Sequence, residues 1–127
     1  MNSYIIDTSA WIEYLEGGER GEKINKILKS NEKIYIIPVI LSELISKVKR
    51  SNGNVDLAYS SLIKNSKILD ITPRIAKEAG LLHAEIRSIL QSFSLTDAMI
   101  VCSAKALKSK VLTTDNHFKQ FKEAIII

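Results

Sequence analysis

The spacing of apolar positions changes repeatedly along this chain. Five stretches are short, apolar and rich in β-branched residues: "YIID" at 4–7, "KIYIIP" at 33–38, "KILDI" at 67–71, "KVLTTD" at 110–115 and "AIII" at 124–127. Each predicts a strand. Helical spacing predicts helices over 9–16 and 21–30, separated by Gly17-Gly18, and over 39–50 and 55–65, separated by the loop "SNGN". In "VILSELISKVKR", Ile40, Leu44 and Val48 stand at i, i+4 and i+8, with Leu41 and Ile45 alongside, as one apolar stripe. Thr72-Pro73 is a helix start with proline at the first helical position. Ile75, Ala79, Leu82 and Ile86 form the buried face that follows. "SLTDAMIVCSAKAL" is apolar around most of its circumference, which predicts a deeply buried helix, and "NHFKQF" fits a single helical turn. Strands alternating with helices imply a parallel sheet covered on both faces, an α/β sandwich.

Composition narrows the class. The 127 residues fit one domain, 1–127, and 46% hydrophobic residues are ample for a core. A charged fraction of 25% and only two prolines argue against disorder. The longest apolar runs are too short for a membrane span, and the N-terminal residues lack the basic-then-apolar order of a leader. The single cysteine excludes an internal disulfide, and its setting, "MIVCSAKAL", reads as core. A cytoplasmic protein is expected. The formal charge of +4, from 18 basic and 14 acidic residues, is weak evidence for an anionic partner.

The carboxylates change the picture. Ligands of open parallel sheets bind at the carboxyl ends of the strands. Asp7 ends the first strand and Asp115 the fourth. Glu43 sits about a turn and a half into the helix after the second strand, beside its buried stripe, and Asp97 lies in the first turn of the apolar helix. Helices that follow strands start at the same edge, so all four acids can converge there. Each also has a local explanation. Asp7 and Asp115 can cap helices or close Asx-turns, Asp97 can complete a capping box with Ser94, and Glu43 can pair with Lys47. Crowded carboxylates raise one another's pKa unless a cation offsets them. Oxygen ligands favour Mg²⁺ or Mn²⁺, and the absence of a Cys/His cluster argues against zinc.

"IDTSAWIEYL", "PVILSELISK", "SLTDAMIVCSAKA" and "VLTTDNHF" resemble, in order and spacing, the four acidic motifs of PIN-domain ribonucleases, most closely their VapC-like toxin branch. The resemblance covers essentially the whole chain. It implies a three-layer α/β/α fold with a five-stranded parallel sheet, and cleavage of RNA that depends on Mg²⁺ or Mn²⁺. It further implies a small antitoxin partner and a homodimer. By motif match it places Asp7, Glu43, Asp97 and Asp115 at the metal, with Ser9 and Thr114 as small hydroxyl residues supporting the first and last acids. Many relatives carry a glycine where this chain has "SILQSFS"; the departure bears on the cleft entrance, not on the acids.

With four acids at a metal, ten remain against 18 basic residues, a balance that suits RNA. Lys47, Lys49 and Arg50 form the densest basic run, and Lys47, His83 and Arg87 are candidates for substrate phosphate, against the plainer reading of a solvated face. His117 follows Asp115 and could reach the site, against the plainer reading of an exposed loop; Trp11 is expected in the core or at a dimer contact. A haloacid-dehalogenase phosphatase would need a second Asp where Ser9 stands. A response-regulator receiver would need an acidic pair after the first strand and an Asp ending the third, whereas Asp70 is expected within its strand. A PIN nuclease of RNA processing or quality control, or a non-catalytic PIN-like binding module, remains the alternative.

Overall fold

The computed structural model describes residues 2–127; Met1, which the one-domain expectation includes, lies outside the described residues. The chain runs β1 (Ser3–Ile6), α1 (Thr8–Glu16), α2 (Glu19–Leu28), β2 (Lys33–Ile36), α3 (Pro38–Arg50), α4 (Val55–Asn65), β3 (Lys67–Ile68), α5 (Pro73–Arg87), α6 (Leu95–Leu107), β4 (Lys110–Thr113), a 3-10 turn (Asn116–Phe118) and β5 (Ala124–Ile126). All strands pair in parallel, in the order β3-β2-β1-β4-β5. The chain therefore starts at the centre, steps outward through β2 and β3, and returns to the other side of β1 for β4 and β5. Right-handed crossovers in opposite directions put α1–α4 on one face and α5–α6 on the other. Packing follows that division: α1 meets α2 and α3, α3 meets α4, and α5 meets α6. This is the expected three-layer α/β/α sandwich, and its direction reverses between β1 and β4, where such sheets open a ligand crevice.

The expected faces are the buried ones. Ile40 and Leu44 of α3, Ile75 and Ala79 of α5, and most of α6 from Asp97 to Ala104 lie in the core, Cys102 among them. Trp11 is fully buried beneath β4 and edge-on to Tyr14, with ring centroids 5.8 Å apart, which makes it a core residue. Among the described residues no helix is long and apolar enough to cross a membrane.

Two elements depart most from expectation. Helix α2 begins at Glu19, because Gly18 is already its extended N-cap; Gly17, at φ +80°, supplies the left-handed turn between α1 and α2. Strand β3 is two residues long instead of five. Its sole neighbour β2 stops at Ile36, one residue before the cap of a proline-started helix, so nothing remains to pair beyond Leu69. Asp70 thus falls past the strand, exposed.

Candidate active site

Asp7 stands where β1 becomes α1. Its N–H donates to the Leu112 carbonyl at 2.9 Å, extending the β1–β4 ladder, and its own carbonyl accepts from the Trp11 N–H at 3.0 Å, opening the helix. Although it occupies the N-cap position, its carboxylate makes no cap hydrogen bond. Instead Oδ2 accepts from the hydroxyls of Thr113, at 2.9 Å, and Ser9, at 3.0 Å. Each hydroxyl in turn accepts a backbone N–H from the end of β4: Asp115 N–H to Thr113 Oγ1 at 3.0 Å, and Thr114 N–H to Ser9 Oγ at 3.1 Å. With its acceptor side so occupied, each hydroxyl directs its one proton at Asp7. The strand end, the helix start and the first acid become a single hydrogen-bonded unit.

The other acids arrive by different routes. Asp97 completes a capping box on α6: its Oδ2 accepts from the Ser94 N–H at 2.9 Å, and its own N–H donates to Ser94 Oγ at 3.0 Å. The capping role and a place in the cleft coexist, because the first turn of α6 lies at the carboxyl edge of the sheet. Glu43 sits in the second turn of α3 and accepts from the Thr8 hydroxyl at 3.0 Å, with no ion pair to Lys47. Asp115 lies two residues past the end of β4 and makes no side-chain cap bond to the 3-10 turn. All four acids line one cleft of about 540 Å³, together with Thr8, Ser9, Ser46, Lys47, Arg50 and Ser94.

The cleft is electrostatically unfinished. Burial pushes the Asp7 carboxyl above the usual carboxylate range, and the neighbouring Asp97 charge pushes the same way; the Thr113 and Ser9 hydroxyls pull against them. Among the described residues no Lys or Arg pairs with any of the four acids. Nor, among the described residues, do any three Asp, Glu, His or Cys side chains stand placed to hold a metal ion as they are. An open set of hard oxygen donors fits Mg²⁺, which keeps several waters and takes few protein ligands.

The hydroxyl expected to support the last acid is that of Thr114, which contributes only its backbone N–H here; the Thr113 hydroxyl donates to Asp7 and accepts from the Asp115 N–H. The Thr8 hydroxyl, outside the expected set, donates to Glu43. Lys47 reaches the cleft and Arg50 joins it, whereas His83 and Arg87, on α5, do not line it. His117, expected on an exposed loop, is largely buried. Its Nε2 lies 3.2 Å from Asp97 Oδ2 and 3.8 Å from Asp115 Oδ2, and Phe118 packs 4.9 Å from its ring. Its place two residues after Asp115 thus does bring it beside the acids.

A parallel α/β/α sheet that gathers four carboxylates at its switch point defines a class of acid-cleft α/β domains. The family model of the PIN domain matches residues 4–124, and the chain belongs to that family. No curated relative matches the sequence. Among solved structures, DNA-bound VapBC from Salmonella typhimurium matches at 21% identity with a TM-score of 0.77, over 100% of this chain and 98% of that one. A toxin–antitoxin complex from Klebsiella pneumoniae matches at 18% and 0.73, over 96% and 95%. VapC20 from Mycobacterium tuberculosis, a sarcin-ricin loop cleaving toxin, matches at 15% and 0.69, over 91% and 92%. At these identities the likeness is one of fold.

Proposed function

We propose that the chain is a Mg²⁺- or Mn²⁺-dependent endoribonuclease, one PIN domain over residues 1–127, acting in the cytoplasm as the toxin of a toxin–antitoxin pair. The observation that carries this reading is the meeting of Asp7, Glu43, Asp97 and Asp115 in one cleft, with none of them ion-paired to a Lys or Arg among the described residues. Those four would hold the metal, which when bound lowers the pKa of a ligated water and shields a phosphate oxygen. Ser9 and Thr113 keep the Asp7 carboxylate in one orientation. Lys47 and Arg50, on the wall of the cleft, suit the flanking phosphates of an RNA strand.

The likeness to toxin–antitoxin complexes supports an antitoxin partner. The exposed Leu57, Tyr59 and Ile63 on α4 support a protein interface, with an antitoxin or a second copy. Purified protein should cleave RNA with Mg²⁺ or Mn²⁺ and stop in excess EDTA; cleavage that persists in EDTA overturns the metal reading.

A further inference from the structure

A second space, of about 770 Å³, opens beside His117 and contains none of the four acids. Its floor is the segment joining α5 to α6, through Ile89, Leu90 and Ser92; its wall is the 3-10 turn, through Asn116, His117 and Gln120, with Lys119 beside them. His117 links the two places: it lines this opening, and its Nε2 lies 3.2 Å from Oδ2 of Asp97, an acid of the cleft. A strand with one phosphate among the acids would pass His117 to reach this opening.

The lining suits that occupant. Ile89 is 83% exposed, an apolar surface that nothing in the chain covers. Asn116 and Gln120 offer amide donors and acceptors of the kind that read base edges, the imidazole offers a ring, and Lys119 offers a cation for phosphate. The space is a broad, open depression, suited to one base laid against its surface. The floor is also the segment where this sequence departs from the pattern it otherwise resembles, "SILQSFS", so the cavity is a feature of this chain's own residues.

We propose that this cavity is a specificity subsite that takes the unstacked base of the nucleotide next to the scissile phosphate of single-stranded RNA. The inference rests on the nuclease reading for its place in the reaction, but its binding step can be measured without catalysis. The double variant Ile89→Ala/Gln120→Ala alters two exposed side chains, so the fold should tolerate it. Across a random-sequence RNA pool with Mn²⁺, the wild type should prefer one base beside the cut. In the variant that preference should flatten, and KM should rise about tenfold, with the loss falling in KM more than in kcat. An unchanged preference together with an unchanged KM overturns the subsite.

The independent arm uses ¹⁵N-labelled wild type with Ca²⁺ and a mixed single-stranded RNA hexamer. The amide signals of Asn116 and Gln120 should shift, and a duplex of the same sequence should leave them in place. Shifts confined to residues of the acid cleft overturn the proposal. If these amides shift while the wild type cleaves nothing, the subsite stands and the nuclease reading fails. If the wild type cleaves but neither the amides nor the preference respond, the nuclease reading stands and the subsite fails.

Discussion

The cleft has two halves made of the same chemical group. Asp7 and Asp97 are 4% and 8% exposed and sit against the sheet, one in a knot of hydroxyls and backbone amides, the other locked in a capping box. Glu43 is half-buried with one hydroxyl donor, and the Asp115 side chain is 45% exposed with no side-chain hydrogen bond among the described residues. The buried half has its orientation set by strand and helix ends, which are rigid because their backbone bonds are. The open half hangs from a helix face and a strand exit, where rotamers can turn toward an incoming ion or phosphate. A preformed half held at electrostatic cost, facing an adjustable one, matches a site that gains its last ligands only when metal and substrate arrive.

The largest effect expected is the loss of cleavage in Asp7→Asn. Asparagine can still accept from Ser9 and Thr113, so the fold should survive, but a neutral amide is a poor ligand for a hard cation. Cleavage should fall at least about a hundredfold. Wild-type protein should gain roughly 2.7 kcal/mol of stability at a hundredfold excess of Mn²⁺ over Kd, and the variant far less. Glu43→Gln should also lose cleavage, yet leave metal-free stability within about 0.5 kcal/mol, since its carboxylate is not locked in place. Thermal melts of both variants in EDTA and in Mn²⁺ test the division. Equal metal-free stability for the two variants would erase the distinction between the halves.

A smaller effect separates two adjacent threonines. Thr113→Val removes one donor to Asp7 and one acceptor for the Asp115 N–H while keeping a β-branched shape suited to β4. Metal-free stability should drop by about 1–3 kcal/mol, and cleavage by roughly ten- to a hundredfold. Thr114→Val should stay within about 0.5 kcal/mol of wild type, because its hydroxyl makes no hydrogen bond among the described residues. Urea unfolding and initial cleavage rates decide; matching losses in the two variants would mean that the knot around Asp7 is not what orients it.

That pair also marks where the sequence stops being legible. The acids could be read because they end apolar strands or open apolar helices, and the sheet-edge rule then brings them together. The helix faces could be read from spacing, and Ile40, Leu44, Ile75 and Ala79 are indeed buried. The choice between Thr113 and Thr114 could not. Alternation normally tells the faces of a strand apart, but β4 is covered on both sides and buries Val111, Leu112 and Thr113 alike. The length of β3 was hidden for another reason: it depends on where its neighbour stops, which "KILDI" does not encode. His117 was misplaced because loop polarity says nothing of the Phe93 and Phe118 rings that bury it.

The smallest effect is a pH dependence in the metal-free protein, and it tests the cost assigned to the buried half. Asp7 has its folded-state pKa raised, by burial first and by Asp97 as well, against the pull of its hydrogen bonds. A raised pKa means that the folded state holds the proton more tightly than the unfolded chain does. The stabilisation from that proton is fully present below the ordinary aspartate value of about 4, and is lost as pH rises through the folded-state pKa. Wild-type stability in EDTA should therefore carry a falling component from about pH 4 upward, and Asp7→Asn, which cannot titrate there, should lack it. The measurement is the difference in Tm between variant and wild type across that range, in EDTA and moderate salt. It should widen in favour of the variant as pH rises, then level off once Asp7 is ionised. Mn²⁺ should reverse the order at neutral pH, because the ionised carboxylate then has its cation. A difference that stays flat with pH, or that narrows, would show Asp7 to be comfortable as an ion without metal, and the two halves of the cleft would no longer differ in the way their burial implies.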